Sequence, residues 1–117
     1  MRLTEIPPPA RPMIDSYGPG FFRIDGAVMR GPVALTPGGV RPWAGLPELG
    51  AILAEAAAID VLLIGTGAGM VRLDRGLRAR LEDAGIGVEE MATPAACRSY
   101  NLLLAEGRRV AAVLEPV

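Results

Sequence analysis

Three short stretches carry the groups in this chain that could do chemistry. The first is Gly65-Thr66-Gly67-Ala68-Gly69, where alternating glycines expose backbone amides and allow dihedral angles that a side chain would forbid. The second is Thr93-Pro94-Ala95-Ala96-Cys97-Arg98-Ser99-Tyr100-Asn101, which reads as the start of a helix with Thr93 as its N-cap. The free amides of that first turn favour anions, and Arg98 and Asn101 share one polar stripe a turn apart. A guanidinium fork and an amide beside a glycine loop could hold a carboxylate, a phosphate or a partner's backbone. Equally, Asn101 could tie down the glycine loop while Arg98 pairs with a nearby acid. The third stretch is acidic, Glu82-Asp83 and Glu89-Glu90. Neighbours in a strand point to opposite faces, so Glu89 and Glu90 are poorly arranged as a catalytic pair.

Several chemistries are excluded by what the chain lacks. With no histidine there is no Ser-His-Asp or Cys-His nucleophile and no histidine-ligated zinc. Cys97, the single cysteine, cannot form an intramolecular disulfide, which fits a reducing compartment; without a base beside it, it reads as a small buried apolar residue. The spacing G-T-G-A-G fails the dinucleotide fingerprint, and a chain with no lysine has no Walker motif. No cofactor and no metal are expected.

The elements that must position these groups follow from hydrophobic patterning. Val61 to Ile64 is an apolar run without alternation, the mark of a strand buried on both faces, and it is expected to be the central strand. At its carboxyl end the glycine loop leaves the sheet, at the edge where open α/β sheets bind ligands. Leu73, Leu77 and Leu81 then mark a helix capped by Asp74 and ended by Gly85, with Asp74 and Arg78 four apart in the favourable order. Ile86 to Met91 is the next strand, a helix runs from Ala95 to about Glu106, and Arg109 to Leu114 is the last strand.

Before this unit the chain is β-rich. Ile14 and Phe21 to Ile24 begin strands, and Asp25-Gly26 is the strongest hairpin signal. Ala27 to Arg30, Val33 to Leu35 and a short piece from Val40 to Trp43 follow. Pro47 is expected to open a first helix with an apolar stripe of Leu46, Leu49, Leu53 and Ala56, and Trp43 to pack that helix on the sheet. The fold class is α/β: a single three-layer domain over residues 13–117 with a mixed sheet, an N-terminal antiparallel hairpin and a C-terminal parallel βαβαβ unit. Residues 1–12, with Pro7, Pro8 and Pro9, read as an extended arm.

Length and charge set the outer bounds. A chain of 117 residues can bury roughly 65% of the surface its unfolded form exposes, enough for one core. Twelve arginines against thirteen acids give a net charge of -1, so there is no basic face for nucleic acid. The amino terminus lacks the apolar core of a signal peptide and no run reaches spanning length, which suggests a cytoplasmic protein without a transmembrane segment.

Taken together, YGPGFFRI at Tyr17 to Ile24, Gly26, Gly31, Trp43, IGTG at Ile64 to Gly67, and EMATPAACRSYN at Glu90 to Asn101 followed by EGRRVAAVL resemble a known family. Its members are small bacterial and archaeal proteins of unknown function and the third assembly factor of mitochondrial respiratory complex I. The resemblance runs from about Ile14 to Leu114. It implies a three-layer α/β fold around a mixed sheet and a non-enzymatic binding or assembly role, in respiratory complex I or membrane-protein biogenesis. It also implies a protein partner, with peripheral membrane association through a membrane-complex partner. The alternative is a small-molecule or anion-binding protein or enzyme that uses the glycine loop. In either case the expected ligand- or partner-binding residues are Gly65, Thr66, Gly67, Thr93, Arg98 and Asn101, converging on one edge of the sheet.

Overall fold

The computed structural model describes residues 11–117. Five strands, β4 (Val33–Thr36), β5 (Gly39–Pro42), β6 (Val61–Thr66), β7 (Gly87–Met91) and β8 (Val110–Glu115), form one mixed sheet in the order β5-β4-β8-β6-β7. The strands β7, β6 and β8 are parallel, and β4 and β5 add an antiparallel hairpin on the β8 side. Strand β6 is therefore the middle of the parallel trio, as its unbroken apolar run requires. The centre of the whole sheet is β8, because the β4–β5 hairpin extends the sheet on that side; this corrects the expectation for β6.

Both faces of the sheet are covered, which explains why β4, β6 and β8 lack polar alternation. Ala34, Leu62, Ile64, Ala111 and Val113 point to one face; Val33, Leu35, Leu63, Ala112 and Leu114 point to the other. The first face carries the short helix α1 (Gly50–Ala54) and the helix α2 (Arg75–Asp83), through Leu49, Ile52, Leu81 and the indole of Trp43. The second carries α3 (Thr93–Ala105), through Ala96, Cys97 and Tyr100. From β6 the chain crosses by α2 to β7, then returns by α3 over β6 to β8. Reversed steps with helices on opposite faces are what right-handed crossovers demand.

The N-terminal region is more than a hairpin. β1 (Ile14–Gly18), β2 (Phe21–Ile24) and β3 (Ala27–Arg30) form a separate three-stranded antiparallel sheet, turning at Asp25 (φ 51°) and Gly26 (φ 80°) as the Asp-Gly pair predicts. Ile14, Phe22 and Ile24 from this sheet pack into the same core as α3. The layers are thus α1 and α2, the five-stranded sheet, and α3 with the small sheet.

Asn101 joins the last two elements. Its amide oxygen accepts from the Ile14 N–H at 2.9 Å and its amide nitrogen donates to the Ile14 carbonyl at 2.8 Å, as a neighbouring strand would. Of the arm expected over residues 1–12, residues 1–10 lie outside the described part. Arg11 is anchored, donating to the Val110 carbonyl at 2.7 Å with its guanidinium 5.9 Å from the centroid of the Tyr100 ring.

Two helix starts differ from expectation. α1 begins at Gly50, not Pro47, where the Glu48 carboxylate accepts the Gly50 N–H at 2.9 Å. The helix ends after five residues and a 3-10 turn follows at Ala56–Ala58, so Leu46 is 37% exposed and belongs to no helical stripe. In α3 the N-cap is Ala92, and Thr93 is the first helical residue with its hydroxyl directed elsewhere. Asp74 does cap α2, accepting from the N–H groups of Gly76 and Leu77.

Asn101→Ala leaves both main-chain groups of Ile14 without their partner. The expected cost is roughly 1–3 kcal/mol in denaturant unfolding, with faster amide exchange in β1 and β2 than in β6. Exchange accelerated equally everywhere would show that the small sheet does not depend on this contact.

Candidate functional site at the carboxyl edge of the sheet

The carboxyl ends of β6 and β8 are held together by one threonine. Thr93 is fully buried; its Oγ1 accepts from the Gly67 N–H at 2.8 Å and donates to the Glu115 carbonyl at 2.6 Å. Its own N–H donates to the Gly67 carbonyl at 2.8 Å. Three segments thus meet on one side chain. They can do so because Gly65 has no side chain: a Cβ there would lie 2.8 Å from both Leu114 Cδ2 and Thr93 Oγ1 and 3.2 Å from the Thr93 Cα. Gly67 has φ +93°, the conformation expected of a glycine where the strand leaves the sheet.

Beyond Gly67 the loop bonds to its own surroundings. The Thr66 hydroxyl donates to the Gly69 carbonyl at 2.6 Å and accepts from the Val71 N–H at 3.0 Å. Glu90, on β7, accepts from the Leu73 N–H at 3.0 Å and pairs with Arg78. Arg78 also donates to the Val88 carbonyl at 3.2 Å and lies 3.5 Å from Glu82. The Asp74–Arg78 pairing suggested by their spacing is replaced by this arrangement: Asp74 is occupied as a cap, and Glu90 is the better-buried acid. The Arg78 guanidinium, helped by the Leu73 N–H, holds the Glu90 carboxyl down at about 2. The amides of Gly67, Val71 and Leu73 are thus engaged within the protein, two of them by side chains of the sheet edge.

On the α1 and α2 side of this edge lies a recess of about 190 Å³. Ile64 and Leu73 form its buried floor, and Trp43, Leu46 and Val71 its apolar wall. The Trp43 Nε1–H donates to the Glu48 carbonyl at 2.6 Å, so the indole offers only apolar surface. Arg72 and Glu115 supply charge.

Of the six residues singled out in the sequence, Gly65, Thr66, Gly67 and Thr93 come together. Gly65 and Thr66 border the recess, whereas Thr93 is covered on the opposite face. Arg98 is exposed on α3. Asn101 lies two turns along α3 and is occupied with Ile14, so it neither joins this edge nor ties down the glycine loop. Cys97 is buried, and that burial pushes its thiol up to about 11. The residues missed are Val71, Arg72 and Glu115, which no periodic pattern marks, and Leu46, which the sequence assigns to a helical stripe and not to a site. The apolar pair Met70-Val71 directly after the glycine loop is the one signal the sequence carries.

Such an edge defines a three-layer α/β domain with a mixed sheet, whose loop is internally tied and whose free surface is an apolar recess. A family model described as "Protein of unknown function (DUF498/DUF598)" matches residues 14–115, and the chain belongs to that family, as the sequence resemblance implied. An uncharacterised protein of Rhodobacter capsulatus is 49% identical over 104 residues, 89% of this chain and 84% of that one. The NADH dehydrogenase (ubiquinone) 1 alpha subcomplex assembly factor 3 of Danio rerio is 35% identical over 111 residues. That match takes in 89% of this chain but only 64% of the relative's length. A crystal structure described as an outer membrane protein from Bartonella henselae superposes with a TM-score of 0.88 at 39% identity, covering 93% of this chain and 98% of the other. Among the described residues of this chain, no helix is long and apolar enough to cross a membrane.

Gly65→Ala and Gly67→Val should each cost roughly 1–3 kcal/mol, the first by overpacking against Thr93 and the second by strain at a positive φ. Gly69→Ala, with open space around its Cβ, should be mild; equal denaturation midpoints for all three variants and the parent would refute the clasp. Glu90 has its carboxyl pKa lowered on folding, so its contribution is complete above its ordinary value of 4.5 and is lost as pH falls toward about 2. Glu90→Gln should therefore destabilise clearly at pH 7 and progressively less toward pH 3. A gap between variant and parent that does not change with pH would show that the carboxylate's charge is not what holds Leu73 and Arg78.

Proposed function

We propose that this chain is a non-enzymatic assembly module that docks a protein partner during biogenesis of a respiratory complex I-type NADH dehydrogenase or another membrane complex. It would work on the cytoplasmic side, reaching the membrane through its partner. The observation that carries this reading is the 35% identity, along nearly all of the chain, to a protein named as an assembly factor. The chemistry of the chain supports it: there is no histidine, the one thiol is buried and pushed up to about 11, and Glu90, one of two acids at the sheet edge, is neutralised by Arg78. A small-molecule or anion site at the glycine loop is the weaker alternative, because the identity to a named assembly factor gives it no support. Of the residues marked in the sequence, Gly65, Thr66, Gly67 and Thr93 would serve by shaping the edge, and Arg98 by offering charge on the α3 face.

Deletion of the gene in the organism that encodes it should lower the amount of assembled NADH dehydrogenase on native gels, with subunit transcripts unchanged and restoration by the intact gene. Undiminished assembly together with full membrane NADH:quinone oxidoreductase activity would overturn the complex I reading.

A further inference from the structure

We propose that the recess between Trp43 and Val71 is a seat for one large apolar side chain of a partner polypeptide, on a segment that brings an acidic group to Arg72 and a basic group to Glu115. The role of this seat rests on the docking reading above. Its size selects the occupant: about 190 Å³ falls short of the roughly 300–1,000 Å³ that drug-sized ligands occupy. It suits a single anchoring side chain, the unit that dominates binding energy at protein interfaces.

The surroundings fit an anchor with flanking residues. Leu46, Met70 and Val71 are 37%, 55% and 61% exposed, an apolar fringe beside a floor formed by buried Ile64 and Leu73. Arg72 and Glu115 stand on the lining with no ion-pair partner among the described residues, one of each sign. A segment carrying opposite charges on either side of its anchor would neutralise both. A second copy of the chain fits less well, because a stable dimer needs about 800 Å² from each partner and three exposed side chains do not supply it. The seat is also held in shape before anything binds. Glu90 fixes Leu73, Thr66 fixes Val71, and the bond from Trp43 to the Glu48 carbonyl fixes the indole, so little ordering remains to be done on binding.

The test is selection of displayed random peptides on the full chain, followed by titration of synthetic copies against the fluorescence of Trp43, the only tryptophan. Selected peptides should share one large apolar residue flanked by an acid and a base, and should shift the Trp43 emission. Val71→Asp, at an exposed position, should fold normally and weaken binding at least tenfold. Arg72→Glu should turn the preference at the acidic position towards a basic residue. Leu102→Asp, an equally exposed site on the α3 face, should bind as the parent does. The proposal is overturned if no peptide is enriched, or if enriched peptides bind Val71→Asp and Arg72→Glu unchanged. It is also overturned if free leucine or phenylalanine shifts the emission while the N-acetyl amides do not, which would mark a zwitterionic ligand. A dimer in solution that Val71→Asp dissolves would assign the seat to a second copy and overturn it too. The two readings separate in the cell: a Val71→Asp gene that fully restores assembly in the deletion strain sinks the seat alone. A peptide consensus from a chain whose deletion leaves assembly intact keeps the seat and sinks the assembly role.

Discussion

Much of this structure depends on the close approach of Thr93 to Gly65. A helix can begin directly over the end of β6 only if nothing projects from the strand there, and a single methyl group would stand 2.8 Å from the threonine hydroxyl. Given that space, one buried hydroxyl satisfies the amide of Gly67 and the carbonyl of Glu115 at once. Buried backbone groups left unpaired would each cost about 1–3 kcal/mol, so this threonine closes an account that three separated segments could not close alone.

From that contact the rest of the carboxyl edge takes its form. With Gly67 held on the α3 side, the chain leaves towards the α2 side, where Thr66 and Glu90 hold the returning strand of the loop by its amides. The loop is thereby stiffened as a wall. The same bonds leave Val71 exposed beside Trp43, above an apolar floor. The edge thus combines a stiffened loop with an exposed apolar recess, in a chain one of whose relatives is named as an assembly factor.

The two sheets divide the work. Strands β4, β6 and β8 are covered on both faces and form the rigid middle layer, while the small sheet is attached through Asn101 and the apolar side chains of Ile14, Phe22 and Ile24. In the sequence Asn101 reads as a candidate for ligand or loop contact; in the structure its amide completes the hydrogen bonding of an edge strand. Its helical spacing from Arg98 was visible, but the partner 87 residues away was not.

The sequence by itself determined the parallel unit, because unbroken apolar runs at Val61–Ile64 and Val110–Leu114 are stable only between two covering layers, and helical stripes alternate with them. It also determined the Asp25-Gly26 turn, the Asp74 cap and the need for glycine at 67, since each follows from local dihedral or hydrogen-bond chemistry. Only the tertiary structure decided where Thr93, Glu90 and Asn101 send their polar atoms, and that α1 would shrink to five residues and leave Leu46 at the rim of a recess. Those outcomes depend on groups that are distant in the chain and brought within 3 Å by packing, and neither propensity nor periodicity carries information about such pairs.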